Sequence, residues 1–155
     1  MVSVAEAIKS IEVPDEDEEK PRMVALLCEN DAMPALDEAA RRRLTWNPWI
    51  RVIPVRCLGA VNVVWIADSL ASGIDGFLLI GCKKGDDYQC HYIHGSELAE
   101  KRMSNVQETL DRLTLEPERV KVVELARNEF ERIPEIFEEF ASTIEDVGPN
   151  PYKGF

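Results

Sequence analysis

Four short apolar runs, rich in β-branched residues and leucine, alternate with longer amphipathic segments between Met23 and Phe140. We predict strands over residues 23–27, 50–55, 76–80 and 120–124, and helices over residues 34–44, 62–72, 96–113 and 133–146. Such alternation is typical of βα units around a parallel sheet. Because a chain of 155 residues suits one domain, the pattern predicts a single small α/β domain. Its sheet would be four-stranded and mostly parallel, with helices on both faces.

Proline and glycine positions refine this fold. Pro54 lies inside the second predicted strand, and because proline has no N–H to give to a sheet ladder, that strand belongs at an edge. This favours the strand order 2-1-3-4, joined by right-handed crossovers. We predict that Asp31 caps the first helix, that Gly73 ends the second, and that Pro117 lies beyond the end of the third.

The charge of the chain excludes some classes of function. Its net charge of −11 argues against nucleic acid, because phosphate binding needs a surplus of lysine and arginine. No apolar run approaches the roughly 20 residues of a membrane span, so direct membrane insertion is not expected. Residues 1–20 contain an acidic run where a secretion signal needs an apolar core. The sequence therefore predicts a cytoplasmic protein, either free or associated with a membrane-bound complex.

The two ends of the chain differ from its middle. Residues 1–22 carry seven acids against three bases, and a short apolar stripe of Val4, Ile8 and Ile11 precedes the acidic run. Residues 147–155 contain two prolines and cannot form a helix. We therefore divide the chain into an acidic N-terminal docking arm (1–22), a central domain (23–146) and a C-terminal tail (147–155), and we expect other chains to hold both ends.

Cysteines follow three of the predicted strands. Cys28, Cys57 and Cys82 come just after the first, second and third strands, and Cys90 lies on the loop that begins at Cys82. The carboxyl ends of parallel strands share one edge of the sheet, where ligands bind in open α/β folds. In a reducing compartment cysteines are more often metal ligands or reactive thiols than disulfides. We expect all four thiols to converge.

Several kinds of thiol chemistry fit this convergence. Four thiolates suit an iron–sulfur cluster or a structural zinc, but the spacings of 28, 24 and 7 intervening residues lack the close pairs that zinc sites use. His91 and His94 keep a mixed Cys/His zinc site open. The cysteines could also be small buried hydrophobic residues, or Cys82 and Cys90 could form a thiol-redox pair without the usual C-x-x-C spacing. No catalytic Ser/His/Asp grouping or phosphate-binding loop stands out.

The segments around these thiols also resemble a known family. The segments are RVIPVRCLG (51–59), GFLLIGCKKGDDYQCHY (76–92), GSELAEKR (95–102) and LEPERV (115–120). They resemble the delta subunit family of methyl-viologen-reducing hydrogenase. The closest likeness is to the version of this family that forms a domain of quinone-interacting oxidoreductases and heterodisulfide-reductase-like complexes. The resemblance implies a small α/β domain with one [2Fe-2S] cluster, held by Cys28, Cys57, Cys82 and Cys90. It also implies electron transfer between a partner oxidoreductase and a flavin- and iron-sulfur-containing heterodisulfide-reductase-like subunit, among other redox subunits.

This chain departs from the hydrogenase branch at two places. The hydrogenase branch has a C-x-x-C pair after the first strand, whereas Asp31 replaces the second cysteine here, and residues 87–89 lengthen the loop before Cys90. Because a [2Fe-2S] cluster needs four ligands, no spare cysteine is left.

Charged and aromatic residues near the cysteines extend the prediction. Arg56, Lys83 and Lys84 would favour the more negative, reduced form of a cluster, and Gly59, Gly81 and Gly85 would let the backbone approach it. Trp46, Trp49 and Tyr88 are predicted contacts for a partner subunit, although the tryptophans could instead complete the domain's own core. The leading interpretation is a non-catalytic electron-transfer subunit. The alternative is a docking adaptor with a structural zinc or no metal.

Overall fold

The computed structural model describes residues 20–84, 90, 92 and 94–153. The strands are β1 (Met23–Cys28), β2 (Ile50–Val55), β3 (Gly76–Gly81) and β4 (Val120–Glu124). The α-helices are α1 (Ala32–Arg41), α2 (Val63–Ala71), α3 (Gly95–Ser104), α4 (Val106–Arg112) and α5 (Ile133–Val147). Short 3-10 turns lie at Leu58–Ala60, Pro117–Arg119 and Phe130–Arg132.

The four strands form one sheet in the order β2-β1-β3-β4. Every neighbouring pair is parallel, with Leu27 of β1 opposite Pro54 on one side and Ile80 on the other. The predicted strand order is therefore confirmed. Pro54 lies on an edge strand, where its missing N–H costs no ladder bond to an outer neighbour.

Helices cover both faces of the sheet, as predicted. Side chains alternate along β1, so Met23, Ala25 and Leu27 pack with α1 and α5, while Val24 and Leu26 pack with α2, α3 and α4. Both central strands are buried along their whole length. This double burial explains why β1 and β3 read as continuous apolar runs.

The helix predicted over residues 96–113 is two helices. It breaks at Asn105, between α3 and α4. Ser104 turns its hydroxyl back to donate to the Lys101 carbonyl, and short polar side chains that compete for backbone groups weaken a helix interior. The break lets Met103 and Val106 both reach the core.

The amino ends of the strands are closed by the C-terminal residues. The fully buried Asp75 carboxylate accepts hydrogen bonds from the backbone N–H groups of Arg22 (2.6 Å) and Asn150 (2.8 Å), and it pairs with Lys153 at 3.1 Å. Residues 148–153 thus pack onto their own domain. These contacts account for the position of the tail without the contacts to other chains that we expected. Residues 1–19, which include the acidic run, lie outside the described residues.

The helices of the described residues are too short or too polar to cross a bilayer.

Candidate functional site

The four cysteines lie at the carboxyl edge of the sheet. Cys28 is the last residue of β1, and Cys82 directly follows β3. Cys57 follows β2 by two residues and precedes the turn Leu58–Ala60, and Cys90 lies shortly before α3. All four are free thiols. Strand ends therefore bring together residues that are up to 62 positions apart in the sequence.

Cys28 and Cys82 form one close pair. Both are buried, and their Sγ atoms lie 3.5 Å apart. A disulfide would need about 2.05 Å, whereas two thiolates on one tetrahedral metal with bonds of about 2.3 Å lie about 3.8 Å apart. The separation is therefore close to that of two ligands on one metal atom.

Cys57 and Cys90 form a second pair against Gly95. A Cβ atom at Gly95 would clash with Cys57 Sγ and would lie 3.1 Å from Cys90 Sγ. Besides burial, Cys90 and Cys28 both raise the pKa of Cys57 through their negative charge. The second pair therefore fills space that a side chain on α3 would occupy, and it lies beside the first pair.

N–H groups converge on the sulfurs. The backbone N–H groups of Asp31 and Ala32, at the start of α1, face Cys28. The Gly59 N–H faces Cys57, and the Asn30 side-chain amide lies 3.7 Å from Cys82 Sγ. The starts of α1 and α3 therefore both adjoin thiols, and helix N-termini favour negative charge.

The two thiols of the first pair shift each other's pKa in opposite directions. The hydrogen bond from Cys82 lowers the pKa of Cys28 to about 6, helped by the N–H groups at the start of α1 and opposed by burial. The same contact raises the pKa of Cys82, and burial raises it further. Burial also raises the pKa of Cys57. Because metals bind thiolates, filling this site would release protons.

The basic residues next to the cysteines have acidic partners. Lys83 Nζ lies 2.7 Å from Glu129, Lys84 pairs with Glu100 and lies 3.1 Å from Glu124, and Arg56 lies 3.8 Å from Glu29. The expected positive surroundings of the thiols are therefore largely neutralised. Sequence position alone could not show these pairs, because most of the acids are distant in the chain.

The predicted glycine contacts differ in kind. Gly59 lies beside Cys57, but a Cβ at Gly81 would meet Leu58 and Ser96 rather than a thiol, so Gly81 serves helix-to-sheet packing. His94 lies at the surface with its ring 2.9 Å from Glu97. Gly85 and His91 lie outside the described residues.

The aromatic candidates separate into core and surface. Trp46 is half-buried and packs edge-on against Phe137, with ring centroids 6.1 Å apart. Trp46 therefore belongs to the domain's own core, which was the alternative to its predicted contact with a partner subunit. Trp49 is 42% exposed, and its contact with a partner stays a prediction. Tyr88 lies outside the described residues.

Sequence reasoning missed two residues of this site. Gly95 is part of a quoted segment, but nothing in its spacing indicates that two thiols lie against it. Asp31 precedes α1 as predicted, yet its side chain caps no N–H of that helix and turns instead to Asn30. The signal in the sequence that could have placed Asp31 in the site is that Asn30 and Asp31 closely follow Cys28.

The four thiols are arranged as two pairs, and each pair offers two sulfur atoms as ligands. In the part of the chain that the structure describes, no three His, Cys, Asp or Glu side chains meet in a geometry that would hold one metal ion.

Comparison with known proteins identifies similar chains that are iron-sulfur subunits. The family of the delta subunit of methyl-viologen-reducing hydrogenase matches residues 23–148. An iron-sulfur subunit of the F420-non-reducing hydrogenase of Archaeoglobus profundus is 33% identical over 86% of this chain and 95% of its own length. A vhu iron-sulfur subunit of the F420-non-reducing hydrogenase of Methanocaldococcus jannaschii is 26% identical over 86% of this chain and 97% of its own length.

A second kind of relative is much longer. One subunit of the ferredoxin/F420H2-dependent CoB-CoM heterodisulfide reductase of Methanosarcina acetivorans is 33% identical over 83% of this chain. This chain spans only 16% of the length of that relative. The family match extends from the start of β1 to just past α5 and includes every cysteine of the site. The chain therefore belongs to the family of the delta subunit of methyl-viologen-reducing hydrogenase.

Proposed function

We propose that this protein is an electron-transfer subunit that carries one [2Fe-2S] cluster on Cys28, Cys57, Cys82 and Cys90. The proposal rests on one observation, the two thiol pairs that lie at the carboxyl edge of the sheet. Cys28 and Cys82 would bind one iron, and Cys57 and Cys90 the other. The cluster would supply one-electron chemistry, and the protein would hold it and tune it.

The surroundings of the thiols suit an anionic cluster. Four thiolates give the centre negative charge, and the N–H groups at the starts of α1 and α3 and at Gly59 would stabilise it. Hydrogen bonds to the sulfurs are also a main determinant of the reduction potential of such clusters. The names of the two hydrogenase relatives, which call them iron-sulfur subunits, support the same chemistry.

The relatives also support a partner. Two of them belong to hydrogenases, and the longer one belongs to a heterodisulfide reductase and contains a stretch similar to this chain. We infer that the protein passes electrons between a partner oxidoreductase and a flavin- and iron-sulfur-containing subunit of the heterodisulfide reductase type. A single cluster in a small domain needs such neighbours, because it has no internal relay of its own.

Metal analysis of the full chain tests this proposal. After anaerobic purification we expect equal amounts of iron and acid-labile sulfide, about two of each per chain, with a visible spectrum that bleaches on reduction. One zinc per chain without sulfide would support the docking-adaptor alternative and contradict the proposal.

Replacing one thiol tests the ligand set. Cys57→Ala should remove most of the iron and sulfide, because alanine cannot bind iron and the second pair would be broken. Circular dichroism should show an unchanged helix and strand content, since Cys57 is only half-buried. Ser69→Ala, which removes a hydroxyl that donates to the Trp65 carbonyl of the same helix, is the control and should keep the cluster. Full iron and sulfide in Cys57→Ala would remove Cys57 from the ligand set.

A further inference from the structure

A buried carboxylate lies beside the first thiol pair. Asp31, between β1 and α1, is only 4% exposed. Its Oδ2 atom accepts a hydrogen bond from Asn30 Nδ2 at 3.1 Å, and the same amide lies 3.7 Å from Cys82 Sγ. The Asp31 carboxylate also raises the pKa of Cys82, and the Asp31 backbone N–H faces Cys28. Asp31 therefore adjoins Cys28 through its backbone N–H, and the Asn30 amide bridges its carboxylate to Cys82.

This carboxylate is weakly compensated. Its charged partner is Arg127, whose Nε lies 4.0 Å from Asp31 Oδ1. The Arg127 side chain is 63% exposed, whereas the Asp31 side chain is 5% exposed, so solvent screens the positive charge more than the negative one. Arg127 is held in place by a 2.7 Å hydrogen bond from its Nη2 to the Asn30 carbonyl. The Asn30 amide thus links the sulfur of Cys82 to a buried negative charge, whereas the compensating guanidinium is exposed to solvent.

A negative charge at this position has a definite effect on electron transfer. Reduction adds an electron to a centre that is already anionic, and charge interactions are stronger away from water. We propose that the buried carboxylate of Asp31 lowers the reduction potential of the cluster on Cys28 and Cys82, and that Arg127 offsets part of this effect. The proposal rests on the proposed function and assigns Asp31 as a positioning residue that tunes the centre rather than binding it.

Redox titration of the full chain, followed by electron paramagnetic resonance at one fixed pH, tests this assignment. Asp31→Asn keeps the shape and the contact with Asn30 but removes the charge. At a fixed applied potential it should shift the ratio of reduced to oxidised cluster at least tenfold toward the reduced form, which is about 59 mV for one electron. Glu29→Gln is the matched control. It removes the same charge one residue from Cys28 but at a side chain that is 52% exposed, and it should change the ratio less than twofold.

A second variant covers the case in which Asp31→Asn loses its cluster. Arg127→Gln touches neither thiol pair and should shift the ratio in the opposite direction, toward the oxidised form, by at least twofold. Equal titrations of the wild-type chain and Arg127→Gln, or of the wild-type chain and an iron-loaded Asp31→Asn, would overturn the assignment while leaving the proposed cluster intact. A wild-type chain without iron and sulfide would overturn the proposed function, and the role of Asp31 with it.

Discussion

The second thiol pair depends on the missing side chain of Gly95. This residue begins α3 and lies in contact with both Cys57 and Cys90. The convergence of the cysteines could be predicted, because three of them follow strands and parallel strands end at one edge. The contact of Gly95 with two sulfurs could not, because it depends on how α3 approaches the turn at residues 58–60. The same limit hid the Asn30 amide that bridges Asp31 and Cys82, which are 51 positions apart.

Gly95→Ala should separate metal binding from folding. The new methyl group would displace the Cys57 and Cys90 sulfurs, so we expect less than half of the wild-type iron per chain. Gly95 has no positive φ, so alanine suits its backbone, and circular dichroism of the metal-free variant should show an unchanged helix content. Ser104→Ala, at the other end of α3, is the control and should keep its iron. Full iron occupancy in Gly95→Ala would show that the sulfurs do not need this space.

At the scale of elements, the strands were predictable almost to the residue and the helices less so. Both central strands are buried on two faces, so their apolar runs coincide with their bounds. The break between α3 and α4 at Asn105 was missed, because a single apolar stripe continues through both helices. The contacts of the segment between β4 and α5 could not be predicted either, since nothing in the sequence distinguishes Glu129 from an ordinary surface acid.

Glu129 joins three elements near the site. Its carboxylate accepts from Lys83, after β3, at 2.7 Å, and from the Ala126 backbone N–H at 2.8 Å, and it lies 3.3 Å from Arg132. The hydrogen bond from Lys83, with that from Ala126, lowers the pKa of Glu129 below its ordinary value of 4.5. A lowered folded-state pKa means that the carboxylate stabilises the fold above about pH 4.5, and that this contribution is lost as the pH falls through the folded-state value.

Glu129→Gln should therefore lower the free energy of unfolding by about 1 kcal/mol at pH 7. The difference from wild type should shrink toward zero as the pH falls below the folded-state pKa, because the wild-type carboxyl is then neutral too. Urea unfolding at a series of pH values measures this. Glu131→Gln, an exposed acid in the 3-10 turn that directly follows Glu129, should show a much smaller effect. A Glu129→Gln effect that stays constant with pH would assign the contribution to packing instead of charge.

At the scale of the whole molecule, the two ends of the sheet have different tasks. The carboxyl ends of the strands carry the thiols, and the amino ends carry the Asp75 cluster that binds residues 148–153. Lys153 also donates to the Lys20 carbonyl at 3.2 Å, so the proposed N-terminal arm joins the domain at the end that lacks the cysteines. This closure was not predictable, because a tail with two prolines and a lone lysine gives no sign that its lysine is buried.

Lys153→Met should test whether the two ends are independent. The substitution keeps most of the side-chain volume but leaves Asp75, which is fully buried, without its cationic partner, and loss of one member of a buried pair costs about 3 kcal/mol. Thermal unfolding should show this loss. Lys121→Met, which breaks the more exposed pair with Glu139, should cost well under 1 kcal/mol.

Iron and sulfide per folded chain should stay at the wild-type level in all of these variants, because the thiols lie at the opposite end of the sheet. A loss of cluster from folded Lys153→Met would show that the tail supports the site as well as the fold.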